Sequence, residues 1–203
     1  MDQRHITRAL NTLAKRDDDV REALSAYGKP KPRIRPEGFE TFVNTVVAQQ
    51  ISIHAANAIN GRIRKLLPRL TPRSLMKASD EDLRAAGLSF RKIEYLRGLA
   101  DAELSGRLGI KRLGELKDEE AIERIVQLRG FGRWTAEIYL MFSLGRRDIF
   151  PADDLALRVA LGQLKGLEKR PTSNEARTLT EPWAPYRSAA SLFLWHYYQG
   201  QPL

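Results

Sequence analysis

The sequence predicts an all-α protein, and three observations support that prediction. Apolar residues recur at three- to four-residue spacing along most of the chain, which is typical of amphipathic helices. No stretch shows the sustained alternation of apolar and polar residues that indicates a strand. Ser, Asp, Gly and Pro stand at the ends of the periodic segments, where helices begin and end. We expect about ten short helices.

The N-terminal third contains two periodic segments separated by a basic connector. Residues 6–27 predict one or two helices that end at Gly28. Three prolines within residues 29–36 exclude a regular helix, so an extended connector follows, which is more typical of a solvated linker than of a direct nucleic-acid contact. Residues 39–47 then form a strongly apolar helix.

A break follows at the amide pair Gln49-Gln50, and a second helix continues until just before Pro68. Amide side chains at such a turn either cap backbone groups or probe the edges of bases, and the residues alone leave both alternatives open. Further helices are predicted to start at Ser79 and Ser89, since serine is a favoured helix cap.

The stretch 128–137 carries two glycines one residue apart, between the helix that starts at residues 118–120 and a second amphipathic helix. Gly130 and Gly132 allow the backbone to turn sharply and to approach another molecule closely. This pattern indicates a helix-hairpin-helix motif. The first amides of the second helix, together with the helix dipole, favour a phosphate as ligand.

Two adjacent acids, Asp153 and Asp154, follow Phe150-Pro151-Ala152 at the start of a predicted helix. An aspartate at this place is a common helix cap, which explains one of the two acids. A carboxylate one helix beyond a phosphate-binding hairpin is also placed to stabilise an oxocarbenium-like sugar and to orient a water molecule. The last predicted helices start near residue 171 and near residue 186.

Composition narrows the classes of function. The 203 residues carry 34 Lys and Arg against 25 Asp and Glu, a formal charge of +9 that favours an anionic partner such as nucleic acid. The absence of cysteine excludes disulfides, zinc fingers, cysteine nucleophiles and a cysteine-bound iron–sulfur cluster. No apolar run is long enough to cross a membrane and the N-terminus is too polar for a secretory signal, so we expect a cytoplasmic protein.

Four ordered segments resemble one family of DNA repair enzymes. Residues 128–137 and 150–155 are similar to the signature of the helix-hairpin-helix plus Gly/Pro…Asp (HhH-GPD) superfamily of DNA base-excision glycosylases, and residues 46–53 and 183–195 resemble its 3-methyladenine DNA glycosylase II branch. The resemblance implies two helical lobes with an active-site cleft between them. We expect these lobes at residues 48–150 and at residues 1–47 plus 151–203, in a compact form without the N-terminal β-rich domain of some relatives.

The resemblance also implies roles for individual residues. Asp154 matches the catalytic aspartate of this branch, and Asp153 is the second choice. Trp134, Trp195 and Ile138 match the base pocket. Trp134 stands where the bifunctional glycosylase/lyases have a lysine, so no Schiff base to the sugar is expected, and the resemblance implies a monofunctional hydrolase.

Residues that contact DNA are implied in the same way. The turn Gln49-Gln50-Ile51 corresponds to the wedge that fills the gap left by the flipped nucleotide. The implied hairpin contacts are Gly130, Phe131, Gly132, Arg133 and Thr135. Backbone carbonyls of Val126, Leu128 and Phe131 are implied to hold a Na⁺ or K⁺ ion that bridges to a DNA phosphate, and no other cofactor is expected.

The leading hypothesis is a monomeric glycosylase that excises alkylated purines, such as 3-methyladenine and 7-methylguanine, from duplex DNA. These bases are positively charged, and an indole face attracts a cation. One alternative is a non-catalytic helix-hairpin-helix module that only grips phosphates. Another is a glycosylase for other damaged bases, such as oxidised bases, which the missing lysine and missing cysteines disfavour.

Overall fold

The structure is a computed structural model, and it describes residues 1–200. Within that range the chain forms twelve α-helices and two short 3₁₀ helices and contains no strand, which confirms the all-α prediction. The α-helices are α1 Gln3–Leu13, α2 Asp18–Tyr27, α3 Phe39–Ala48, α4 Ile53–Leu66, α5 Pro72–Lys77, α6 Asp80–Ala85, α7 Phe90–Leu104, α8 Asp118–Val126, α9 Arg133–Phe142, α10 Leu155–Leu164, α11 Ser173–Thr180 and α12 Arg187–Gln199. The 3₁₀ helices are Ile110–Glu115 and Glu181–Trp183.

Short polar side chains start most of these helices. Ser79 Oγ accepts the N–H of Asp82, and Ser89 Oγ accepts the N–H of Lys92. Asp154 caps α10 in the same way. Each cap binds an amide that has no partner inside its own helix, which explains why the sequence predicts these starts correctly.

The chain divides into two compact units, residues 1–34 with 137–203 and residues 35–136. The predicted lobes, 48–150 and 1–47 plus 151–203, have other boundaries. Helix α3 packs against α4 and α7, so it belongs to the unit that contains them. Residues 148 and 149 bind the start of α12, which assigns this segment to the other unit.

In the first unit, α10 packs against α12, and a half-buried polar cluster joins three distant segments. Asp17 accepts hydrogen bonds from Lys165 Nζ at 2.7 Å and from Trp183 Nε1 at 2.8 Å. Burial raises the pKa of Asp17, but these donors outweigh it and hold the pKa below its ordinary value. Burial lowers the pKa of Lys165, but hydrogen bonds to Asp17 and Asp19 outweigh it and raise that pKa.

The start of α12 is fixed by the segment before α10. Asp148 accepts a two-pronged pair of hydrogen bonds from the Arg187 guanidinium, each 2.8 Å long. Ser188 Oγ accepts the N–H of Ile149 at 2.9 Å, and both residues are buried. These contacts set the position of α12, which carries Trp195.

In the second unit, α5 packs against α7, and Arg97 on α7 donates to the carbonyls of Leu75 and Ala78 at the end of α5. Helix α3 lies against α4 and α7. No helix within residues 1–200 has the length and apolar character needed to span a membrane.

Candidate active site

The hairpin lies between α8 and α9 in residues 127–132. Phe131 N–H donates to the Leu128 carbonyl at 3.1 Å, which closes the turn. The Gly132 carbonyl accepts the first helical hydrogen bond of α9, from Ala136 N–H at 3.2 Å. Gly132 is therefore the N-cap, and the amides of residues 133–135 precede the first hydrogen bond of the helix.

The two glycines of the hairpin differ in whether the fold requires a residue without a side chain. Gly130 has a φ of +89°, and a Cβ atom added there would lie 2.3 Å from the Tyr95 ring. A Cβ atom at Gly132 would meet no atom within 4 Å. Gly130 is thus required by the fold itself, whereas Gly132 leaves an open surface at the start of α9.

Two predicted DNA contacts on the hairpin are buried side chains. Phe131 is 3% exposed and packs edge-on against Phe42, with ring centroids 5.7 Å apart. Thr135 is 7% exposed. Only the backbone of these two residues is therefore available to a phosphate. Arg133 lies closer to the surface, where its guanidinium binds Glu119 at 2.8 Å.

The turn at residues 49–51 is tied to the hairpin. Gln49 Nε2 donates to the Gly130 carbonyl at 2.8 Å, so this amide has the capping role that the residues alone left open. Gln50 is exposed and has a φ of +59°, a left-handed conformation that is uncommon for a residue with a side chain. Ile51 is exposed beside it. Gln50 and Ile51 are therefore the members of the predicted wedge whose side chains reach solvent.

Lys92 supports this turn from α7. Its ammonium group donates to the Val47 carbonyl at the end of α3, at 2.7 Å. Burial lowers the pKa of Lys92. The positive charge lies at a helix C-terminus, where it stabilises the last carbonyls of α3.

One carboxylate oxygen of Asp154 accepts two hydrogen bonds. Its Oδ1 accepts the N–H of Leu157 at 3.0 Å, which caps α10, and also the indole N–H of Trp195 at 3.3 Å. Asp154 N–H donates to the Pro151 carbonyl at 2.9 Å. The carboxylate is half-buried and its orientation is fixed by both elements, α10 and α12.

Asp153 has a different environment. Its side chain is exposed, and its Oδ2 lies 3.6 Å from a guanidinium nitrogen of Arg177 on α11. The same guanidinium lies 3.4 Å from Glu137, which is only 2% exposed. Arg177 is therefore a shared cation for one buried and one exposed carboxylate, and no local sequence pattern indicates this long-range pairing.

The three residues predicted for the base pocket differ in exposure. Trp195 is 7% exposed and Ile138 is buried, whereas Trp134 is 42% exposed at the start of α9. The Trp195 ring packs against Phe142 with centroids 5.8 Å apart. The guanidinium carbon of Arg33 lies over the same ring, 5.9 Å from its centroid.

The hairpin carbonyls predicted to hold a monovalent cation are compatible with that role. The Leu128 carbonyl accepts one hydrogen bond, from Phe131, which leaves a second lone pair. The carbonyls of Val126 and Phe131 accept no hydrogen bond in the part of the chain that the structure describes. Residues 1–200 contain no group of three or more His, Asp or Glu side chains arranged to hold a metal ion.

Comparison with known proteins matches residues 43–185 to the HhH-GPD superfamily of base excision DNA repair proteins. DNA-3-methyladenine glycosylase 1 of Schizosaccharomyces pombe (strain 972 / ATCC 24843) is 37% identical, with 94% of this chain and 86% of that protein covered.

Two solved structures have the same fold. A crystal structure of DNA-3-methyladenine glycosidase from Bacillus halodurans superimposes with a TM-score of 0.87 and 34% identity, over 94% of this chain and 89% of that one. The Schizosaccharomyces pombe 3-methyladenine DNA glycosylase in complex with abasic DNA gives a TM-score of 0.78 and 36% identity, over 93% and 95% of the two chains. With its hairpin, its helix-capping aspartate and these relatives, the chain belongs to the HhH-GPD superfamily of base excision DNA repair proteins.

Proposed function

We propose that the protein is a monofunctional DNA glycosylase that hydrolyses the N-glycosidic bond of alkylated purines in duplex DNA, with Asp154 as the catalytic residue. The observation that carries the proposal is the double use of Asp154 Oδ1. A helix cap needs one backbone N–H, and this oxygen also accepts the indole N–H of Trp195. A non-catalytic module does not require this second bond.

The chemistry needs one carboxylate and one water molecule. The bond between the base and C1′ breaks and its electron pair goes to the alkylated base, which thereby loses its positive charge. A carboxylate beside the sugar stabilises the positive charge that develops on C1′ and the ring oxygen. Water then forms the new bond to C1′ and gives its proton to the carboxylate, from which the proton passes to solvent. Because the base leaves without being protonated, no separate general acid is required.

The hairpin is proposed to hold the DNA backbone. Backbone amides at the start of α9 favour a phosphate, and the open surface at Gly132 leaves room for it. A Na⁺ or K⁺ ion at the carbonyls of Val126, Leu128 and Phe131 would supply positive charge toward the same phosphate. The exposed Gln50 is proposed to fill the gap that the flipped nucleotide leaves.

The identity of residue 134 supports hydrolysis over strand cleavage. A lyase step needs an amine that forms a Schiff base with the sugar, and the indole of Trp134 cannot form one. We propose that the ring of Trp195 recognises the cationic base, since indole faces attract cations, and the exposed ring of Trp134 offers a face of the same chemistry. The protein is proposed to act as a monomer on duplex DNA.

The test is to incubate the protein with methylated duplex DNA and to identify the released bases by chromatography. The proposal predicts free 3-methyladenine and 7-methylguanine, with intact strands until the abasic sites are cleaved chemically. DNA binding without any base release would instead identify a non-catalytic module. Strand cleavage coupled to base release would contradict the assignment as a monofunctional hydrolase.

A further inference from the structure

Phe142 and Arg33 both lie against the indole ring of Trp195, and they differ in how readily they can move. Phe142 is buried in α9. Arg33 is exposed and belongs to residues 28–37, which form no regular secondary structure. The connector is attached to the same compact unit near its start, where Gln3 Nε2 donates to the Pro30 carbonyl at 3.3 Å. Arg33 is therefore the neighbour that a ligand of Trp195 can displace.

Arg33 and an alkylated purine present the same chemistry to the ring. Both are flat, delocalised cations, and an indole face attracts either one. The guanidinium carbon lies 5.9 Å from the ring centroid, within the range of a cation–π contact. Two positive charges that compete for one aromatic face repel each other, most strongly where water is excluded.

We propose that Arg33 occupies, in the free protein, the place on the Trp195 indole that a cationic alkylated base takes, and that its charge limits the preference for cationic over neutral bases. This inference rests on the proposed function, and it assigns a specificity role to a residue of the basic connector. The base and Arg33 exchange places on the ring, so each excision event requires Arg33 to leave.

Neutralising Arg33 removes both the competitor and the repulsion. The Arg33→Gln variant loses the cation–π contact, which at an exposed site changes the equilibrium constant for occupying the ring by about two- to fivefold. The repulsion that the substitution removes acts only on a base that carries a charge, so only such a base gains from its loss. We expect Arg33→Gln to release 7-methylguanine, which is cationic while it is attached to DNA, about threefold faster or more, and to change the release of hypoxanthine, which is neutral in DNA, by a smaller factor.

Lys31→Gln is the matched control. Lys31 lies on the same connector, is exposed, and loses the same single charge on substitution. Any general loss of attraction to DNA phosphates therefore affects both variants alike. The quantity to compare is the single-turnover release rate of 7-methylguanine for Arg33→Gln relative to Lys31→Gln, followed by the same ratio for hypoxanthine.

A second readout does not depend on activity. The indole N–H resonance of Trp195, assigned with Trp195→Phe, is expected to shift in Arg33→Gln and to stay in place in Lys31→Gln. An unchanged resonance in Arg33→Gln would overturn the inference, as would a 7-methylguanine rate equal to or below that of Lys31→Gln. If the wild-type protein releases no base while the resonance shifts as expected, the proposed function fails, and the specificity role fails with it.

Discussion

Replacing Gly130 with alanine is expected to destabilise the protein through the turn that builds the hairpin. The φ of +89° at Gly130 is a conformation that residues with a side chain rarely adopt. The added Cβ atom would lie 2.3 Å from Cδ2 and 2.6 Å from Cε2 of Tyr95, far closer than van der Waals contact. Either the turn or the tyrosine ring therefore has to shift.

The size of the effect follows from these two terms. A left-handed conformation costs a residue with a Cβ atom about 1–2 kcal/mol. Forcing a methyl group into a packed site typically costs about 1–3 kcal/mol. Together they predict a loss of about 3 kcal/mol in the free energy of unfolding, which corresponds to a fall in Tm of roughly 6–12 °C for a chain of this size.

The assay is urea unfolding of Gly130→Ala in two backgrounds, the native chain and Tyr95→Ala. Removing the ring should recover the steric part, so that Gly130→Ala costs only about 1–2 kcal/mol in the second background. Gly132→Ala serves as the control, because its Cβ atom meets no atom within 4 Å and is expected to cost less than about 1 kcal/mol. Equal costs of Gly130→Ala in both backgrounds would refute the role assigned to Tyr95.

Three further predictions concern other parts of the two units. Asp17→Ala should destabilise by about 3 kcal/mol at pH 7, since Asp17 caps α2 by accepting the N–H of Val20 and also accepts half-buried hydrogen bonds from Lys165 and Trp183. The native pKa of Asp17 lies below its ordinary value of 3.8. The stabilisation that the ionised Asp17 provides is therefore complete above that value and is lost as the pH falls through the lowered pKa. Urea unfolding at pH 7 and at pH 3 measures the difference. Trp195→Phe removes the indole donor to Asp154 and should slow single-turnover base release about tenfold without weakening DNA binding, and equal rates would refute a role for this bond. Gln49→Leu removes the hydrogen bond to the Gly130 carbonyl and should lower the free energy of unfolding by about 1 kcal/mol, whereas an unchanged value would show that the bond contributes nothing.

The local part of this fold could be read from the sequence. Helix starts at Ser79, Ser89 and Asp154 are encoded by a side chain three residues from the amide it binds. The hairpin is likewise predicted by its two glycines, which stand between periodic segments. The six-residue helix α5 is too short to show helical periodicity, although Thr71, Pro72 and Ser74 supply an N-cap, a proline in the first turn and a capping box at its start.

Contacts between residues far apart in the chain could not be predicted from the sequence. The side chain of Gln49 meets the Gly130 carbonyl across 81 residues, and nothing local distinguishes this capping role from a contact with DNA. The burial of Phe131 and Thr135 also depends on neighbours that come from other helices. The position of Arg33 over Trp195 could not be expected either, because an arginine in a proline-rich connector is usually solvated.

The most direct test of the central claim is base release by Asp154→Asn. Asparagine is a good helix cap and keeps an oxygen that accepts the N–H groups of Leu157 and Trp195, so the substitution removes the charge and preserves the contacts. The account predicts a fall of at least about 100-fold in single-turnover release of 7-methylguanine, with DNA affinity and Tm retained, and a much smaller effect of Asp153→Asn. Wild-type activity in Asp154→Asn would contradict the assignment of Asp154 as the catalytic residue. A loss of activity in Asp153→Asn as large as that in Asp154→Asn would contradict it as well.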